Sequence, residues 1–347
     1  MINILKPKRL FRALTGYRDK TSLKPISCIQ VELTNNCNYK CRFCPQSHWR
    51  LSEYSESPFD RSKGFMGFDL FRRVVDEANE ISREINFSFF GEPMIHPEFL
   101  KFMNYLKHKD PQLGVVMNSN LSLATQEIFQ KLIEIKLTDL RLSIDAATHE
   151  MYDILRPGKY YLDLDGNFKS GDRFETICRK AEFWFSLPDH RPTRHVFTVS
   201  SYSLVELKTF VQLWLPLLGD NDIILAKNVL TYGGKISDEM ICANPCNVWN
   251  LNMLTVDWTG QVSPCNLDVN MGLTIGSVKE SSLLELYRSR KYQQIERLSK
   301  AREIVPCKTC IDGNNWSKNI VLRKGGEWRD EYYRMYQNDV TAKPFGG

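Results

Sequence analysis

Strand-like and helix-like runs alternate from residue 26 to about residue 226, and this alternation restricts the fold more than any other feature. In the first run, over 26–34, Ile29, Val31 and Leu33 lie on one face. Cys28, Gln30, Glu32 and Thr34 lie on the other. A strand with a polar face suits a barrel whose interior holds a polar ligand. Phe68, Phe71, Val74, Val75, Ala78 and Ile81 then recur at helical spacing. Further strands are expected over 85–90, 114–118, 140–145, 195–200 and 222–226, and helices over 97–108, 125–135, 146–155, 173–184 and 204–217. Six strands alternating with helices predict parallel βαβ units, arranged as a partial barrel or an open sheet. In both designs chemistry gathers at the carboxyl ends of the strands.

The first strand leads into Cys37-Asn38-Tyr39-Lys40-Cys41-Arg42-Phe43-Cys44. Cysteines spaced x3 then x2 can present three thiolates from one tight loop. Structural zinc wants four ligands, and a fully ligated cluster wants four cysteines. Three thiolates therefore suit a [4Fe-4S] cluster with one iron left open. A second group comprises Cys246, Cys265, Cys307 and Cys310, spaced C-x13-G-x4-C and then, much later, C-x2-C. Four thiolates make a closed site for zinc or a fully ligated cluster, and spacing alone does not separate these metals. Cys28, Cys178 and Cys242 stand apart, and a lone buried cysteine is usually a small core hydrophobe.

With 347 residues the chain can build one large domain or two smaller ones. Its 42% apolar and 25% charged residues match a soluble globular protein. No apolar run reaches the ~18 residues of a membrane span, and no signal-peptide core is present, so a cytoplasmic location is expected. Ten cysteines in such a chain argue for metal ligation over a disulfide framework. Much of the net charge of +5 sits in the first 24 residues, which read as a solvated leader more readily than as a nucleic-acid or membrane arm. The expected division is a basic leader over 1–25, a barrel over 26–235, a cysteine-rich module over 236–313 and a charged tail over 314–347. Within the module, 253–257 and 261–263 read as a hairpin around Thr259-Gly260, followed by a helix over 283–298. Its apolar content is low, so cysteine ligation is expected to hold it together. A helix over 327–336 is expected in the tail.

The cysteine loop, with aromatic Phe43 before its third cysteine, resembles the signature of the radical S-adenosylmethionine (radical SAM) enzymes. The resemblance implies a partial (β/α)6 TIM-like barrel within the α/β class. It also implies that the open iron chelates the amino and carboxylate groups of SAM, and that one electron then releases a 5′-deoxyadenosyl radical. Gly91-Glu92-Pro93 resembles the family segment that contacts the SAM amino group; a glycine allows close approach and an ammonium wants acceptors. Asn118 ends the third strand where the family has a T-N-G-like turn. Ser143 and Asp145 resemble the S-x-D-[GA] segment that reaches the ribose, although Asp145 can equally cap the next helix. Arg156 is the candidate for the SAM carboxylate. The second cysteine group resembles the shortened "twitch" form of the SPASM domain, as does Gly276-x6-Leu283-Leu284-x2-Tyr287. A full SPASM motif has seven cysteines; four here imply one auxiliary [4Fe-4S] cluster on Cys246, Cys265, Cys307 and Cys310.

These resemblances imply an oxidoreductase. The leading expectation is two-electron oxidation of a sugar or aminocyclitol-type alcohol, with the auxiliary cluster accepting an electron. A base would be needed, and the sequence singles none out. Epimerisation would instead need a thiol hydrogen donor, with Cys242 the candidate and Cys28 next; modification of a peptide is a third reading. An iron–sulfur electron carrier is the reading outside enzymes. The expected partners are a sugar-like or peptide substrate and a one-electron reductant such as flavodoxin or ferredoxin. Substrate recognition is expected in the irregular stretches 45–64 and 156–172.

Overall fold

The computed structural model describes residues 25–47, 59–109, 112–233, 246, 249, 252–310 and 319–332. Strand β1 (Cys28–Val31) is followed by helix α1 (Phe68–Ile81), β2 (Glu84–Phe87), α2 (Phe99–Lys107), β3 (Gly114–Ser119), α3 (Gln126–Glu134) and β4 (Asp139–Ser143). Helix α4 (His149–Leu155) leads to a small hairpin, β5 (Tyr161–Leu162) and β6 (Phe168–Lys169). Then come α5 (Arg173–Ser186), β7 (Thr193–Val199), α6 (Leu207–Trp214) and β8 (Ile223–Asn228). The C-terminal part contributes β9 (Met253–Val256), β10 (Gln261–Ser263), β11 (Gly276–Ser277), α7 (Leu283–Arg288), α8 (Arg290–Lys300) and β12 (Ile320–Arg323).

Local chemistry sets most helix starts. Thr125 caps α3 by accepting from the Ile128 N–H, Thr148 caps α4 through Met151, and Asp172 caps α5 through Glu175. Helix α4 therefore starts later than the pattern 146–155 suggested, and its cap is Thr148, not Asp145. The expected helix 283–298 is two helices. Ser289 is extended there, and its side chain accepts from the Tyr292 N–H, which ends α7 and starts α8. The expected helix 204–217 is α6 flanked by short 3₁₀ turns at Leu204–Glu206 and Leu215–Leu217; Pro216 in the second cannot continue the α-helical ladder.

Six parallel strands, in the order β1-β2-β3-β4-β7-β8, form the partial (β/α)6 barrel. Their register separates two faces. Ile29 lies beside Ile85 and Val115, and Leu142 beside His195, Ile224 and Leu322; this face packs on the helices. The other row runs Gln30, Asn86, Val116, with Asn118 beside Arg141 and Thr198 beside Lys227. The polar face lines the barrel interior. His195 belongs to the helix side, fully buried against Phe185, Phe210 and Trp214, and burial pushes its pKa down to about 3. It is a neutral core residue.

The sheet is longer than the barrel. Strand β9 pairs in parallel with β1, and β10 and β11 extend that edge, giving ten strands among the described residues. Leu254, Val256, Val262, Leu283 and Tyr287 join the same buried apolar cluster as the barrel. The cysteine-rich segment thus packs on the barrel core, and does not depend on ligation alone. At the opposite edge β12 pairs antiparallel with β8, burying Ile320 and Leu322 and exposing Val321 and Arg323. The charged tail therefore contains a strand that was not expected from the sequence. The expected helix over 327–336 shows a helical turn from Asp330 to Tyr332, and its remainder lies outside the described residues.

Candidate functional site

The cysteine loop leaves the carboxyl end of β1 and is held from two sides. On one side Lys40 N–H donates to the Pro157 carbonyl (2.7 Å), Arg42 N–H to Leu155 (2.8 Å), and Lys159 N–H to Asn38 (2.8 Å). The buried Asn38 amide donates to Ser122 Oγ (2.8 Å) and the Tyr160 carbonyl (2.7 Å). On the other side Gln46 donates to the Asn35 carbonyl and accepts from the Gly91 N–H. A tight turn closes the loop, Cys44 N–H donating to the Cys41 carbonyl.

Cys37, Cys41 and Cys44 come together in this loop. Tyr39 N–H points at Cys37 Sγ (3.4 Å), Asn120 Nδ2 lies 4.0 Å from the same sulfur, and Arg156 Nη1 donates to Cys41 Sγ (3.3 Å). Burial pushes all three thiols up; Cys41, Glu92 and Cys44 raise Cys37 further. Thiolates that raise one another's pKa in a dry loop ionise together only beside a strong positive centre, which an iron–sulfur cluster provides. Among the described residues no three His, Cys, Asp or Glu side chains close on a point fit for one ion. A four-iron cluster, several ångströms across, takes thiolates spread more widely than a single ion does.

Gly91 follows β2 with φ +80, and a Cβ there would stand 2.2 Å from the Thr34 carbonyl oxygen. Its close approach is to the cysteine loop of its own chain. Glu92 is buried at the end of β3: Ser119 Oγ donates to Oε1 (2.9 Å) and Asn120 N–H to Oε2 (2.8 Å). Burial pushes its pKa up to about 7. Pro93 opens a buried 3₁₀ turn, Pro93–Ile95, that Glu92 caps through Met94 N–H. Asn118 Oδ1 is buried without a partner among the described residues, an acceptor that a bound hydroxyl or amine would satisfy. Ser143, the last residue of β4, shares its face with Val196 and Leu225.

Asp145 and Arg156 pair with each other beside the cysteine loop. Asp145, at φ +59 and fully buried, accepts from the Thr198 N–H (2.5 Å) and binds the Arg156 guanidinium through its other oxygen. Thr148 caps the next helix in its place, and both Asp145 oxygens already accept a hydrogen bond within the chain. Arg156 spans Asp145, Cys41 Sγ and the Phe43 ring, 5.2 Å from its centroid.

The second cysteine group also converges. Burial pushes Cys265 up, with Asp268, Cys310 and Cys307 adding to the rise, while Cys246 raises Cys307. Cys246 is exposed; Cys242 lies outside the described residues. Cys28 opens β1 on the interior face, at the amino end of the strand, remote along it from the cysteine loop.

Arg61, missed in the sequence, joins the two groups. It pairs bidentately with Glu32 at the root of the cysteine loop (2.6 and 2.9 Å), reaches Asp257 (3.3 Å), and donates to the Val269 carbonyl (2.9 Å) just beyond Cys265. Lys180 was missed as well: buried on α5, it donates to the Leu121 and Ser122 carbonyls and fixes the turn that carries Asn120. Neither has a spacing signal, because each partner is remote in sequence.

Residues 31–165 match the Radical SAM superfamily and residues 246–311 the SPASM iron–sulfur cluster-binding domain. The chain is similar, at 24% identity, to the tungsten-containing aldehyde ferredoxin oxidoreductase cofactor-modifying protein of Pyrococcus furiosus, over 81% of this chain and 86% of that one. It is 21% identical to the S-adenosyl-L-methionine-dependent 2-deoxy-scyllo-inosamine dehydrogenase of Niallia circulans, over 85% of this chain and 95% of that one. Among solved structures, BtrN in complex with AdoMet and 2-DOIA superposes with a TM-score of 0.53 at 18% identity, covering 85% and 95% of the two chains. Native anSMEcpe with bound AdoMet gives 0.58 at 16%, covering 90% and 95%. The chain carries a radical SAM domain, with its [4Fe-4S] cluster and SAM, followed by a SPASM domain with auxiliary iron–sulfur ligation.

Proposed function

We propose that this radical SAM enzyme oxidises a sugar or aminocyclitol-type alcohol by two electrons, with one auxiliary [4Fe-4S] cluster as electron acceptor. The observation that carries this reading is Arg61, which ties the root of the three-cysteine loop to the segment just after Cys265. A second cluster in the same chain, on a segment tied to the first, would give the second electron an acceptor. The similarity to an aminocyclitol dehydrogenase along nearly its whole length supports the same reading.

In this proposal Cys37, Cys41 and Cys44 hold the first cluster, and Cys246, Cys265, Cys307 and Cys310 the auxiliary one. When bound, the first cluster and SAM would supply the one-electron reductive cleavage and the hydrogen abstraction that begin the oxidation. The chain's own residues bind and orient. Glu92 offers a carboxylate for the SAM ammonium beside Gly91 and Pro93, and Asn118 and Ser143 face its ribose from the interior. Arg156 donates to Cys41 Sγ and covers Phe43, while Asp145 fixes the guanidinium. Val116, Val196 and Leu225, buried on the interior face, make a dry floor beneath the substrate. A flavodoxin- or ferredoxin-like protein is the proposed reductant. No helix of the described residues is long and apolar enough to cross a membrane.

Anaerobic turnover tests the reading. Cluster-loaded enzyme with SAM, dithionite and a panel of aminocyclitols and sugars is expected to form 5′-deoxyadenosine and a ketone in equal amounts. Solvent deuterium in an unoxidised product would replace this reading with epimerisation. A crosslinked peptide would replace it with maturation.

A further inference from the structure

We infer that Lys227 holds an anionic group of the substrate, a carboxylate or a phosphate, at the mouth of the barrel. The inference rests on the reading of the barrel interior as the substrate site. Strand β8 alternates cleanly: Ile224 and Ala226 belong to the apolar core on the helix side, whereas Leu225 and Lys227 point to the interior. Lys227 is paired in register with Thr198, one residue from the carboxyl end of β8. Its side chain thus leaves the carboxyl end of the interior face, one register step beyond Val196 and Leu225.

The charges around Lys227 are Asp145, Arg141 and Arg156. Asp145 is filled by the Thr198 N–H and by Arg156, and Arg141 is held by Asp139 (2.9 Å). Among the described residues no hydrogen bond or ion pair engages Lys227 itself. Burial is the largest effect on its ammonium and disfavours it; Asp145 favours the charge, and Arg141 and Arg156 oppose it. A half-buried ammonium that feels two guanidinium groups is costly unless an anion not already engaged joins it. The carboxylate that the chain places near it, Asp145, is already shared between Arg156 and the Thr198 N–H. A carboxylate or phosphate on a small polar substrate would meet the Lys227 donors and the positive field of Arg141 and Arg156 together.

Direct binding to the cluster-loaded, SAM-saturated enzyme tests this without turnover. The probes are glucuronate and glucose 6-phosphate, each against neutral glucose, measured by anaerobic calorimetry. At least one anionic probe is expected to bind about tenfold or more tightly than glucose. Which of the two does so distinguishes carboxylate from phosphate. Lys227→Met is expected to erase the preference and Lys227→Arg to keep part of it, with the SAM dissociation constant moving less than about twofold. The inference fails if neither anion is preferred, or if the preference survives Lys227→Met. It also fails if Lys227→Met weakens SAM binding, which would assign the lysine to the carboxylate of SAM. A retained anion preference without any ketone product would remove the dehydrogenase reading and leave Lys227 in place.

Discussion

The backbones of Gly91 and Thr34 interlock. A Cβ on Gly91 would stand 2.2 Å from the Thr34 carbonyl oxygen and 2.7 Å from that of Asn36, while the next residue, Glu92, donates its N–H to Asn36 (2.9 Å). The loop after β2 and the cysteine loop after β1 are therefore one packed unit, and either can be disturbed through the other.

Gly91→Ala has nowhere to place its methyl group, and its φ of +80 is also unfavourable for alanine. Denaturant unfolding under anaerobic conditions should show a loss of about 2 kcal/mol or more. SAM affinity should fall as well, because the cysteine loop must shift to admit the methyl. Parent-like stability together with parent-like SAM binding would contradict the interlock.

Glu92 gives a pH dependence with a definite sign. Its pKa is pushed up by burial from 4.5 to about 7, so the folded chain binds this proton more tightly than the unfolded chain. The resulting stabilisation is complete below pH 4.5 and is lost as pH rises through about 7. In SAM-free protein the swing should be about 3 kcal/mol. Glu92→Gln should flatten the stability profile between about pH 5 and 8. A profile of equal slope in the variant would show that another group titrates there.

Asp145→Asn leaves the buried Arg156 guanidinium without its carboxylate. Removing one partner of a buried pair costs about 3–5 kcal/mol. The same change should disturb the first cluster, since Arg156 donates to Cys41 Sγ. The expected readouts are a lowered unfolding midpoint and an altered electron paramagnetic resonance signal of the reduced first cluster. An unchanged signal would separate Arg156 from that site.

Iron counting separates the two cysteine groups. Reconstituted parent enzyme should hold about eight irons, as two four-iron clusters would. Cys41→Ala should abolish 5′-deoxyadenosine formation, while Cys307→Ala should lower auxiliary iron and spare much of the SAM cleavage. About four irons and one zinc in the parent would remove the auxiliary cluster.

The alternation of β1, with Gln30 and Glu32 opposite Ile29 and Val31, already announced a strand with a polar interior face, and the structure has that face. Helix α1 was equally plain in its spacing of Phe71, Val74, Val75 and Ala78, all buried. Strand β12 was missed because four residues beside charged neighbours give a weak period, and its burial comes from pairing with β8. Ser289 broke an expected helix through a side-chain cap that outcompeted the continuous apolar pattern. Asp145 looked like a helix cap because local reading offers it only local donors, whereas its actual partners are Thr198 and Arg156.

What the sequence determined by itself is chemistry written in neighbouring residues: three thiolates on one loop, four more in a later group, a glycine beside an acid, and six βα units. These depend on spacing and on periods of two and 3.6, which the chain carries locally. Tertiary structure alone decided what each charged side chain faces. Arg61 found Glu32, Asp257 and the Val269 carbonyl; Arg156 found Asp145 and Cys41; and Lys227 was left facing the interior beside an Asp145 that Arg156 already engages. Such pairings join residues from 11 to 208 positions apart. Burial in a shared low-dielectric space makes them strong, and no local pattern records which segments will share it.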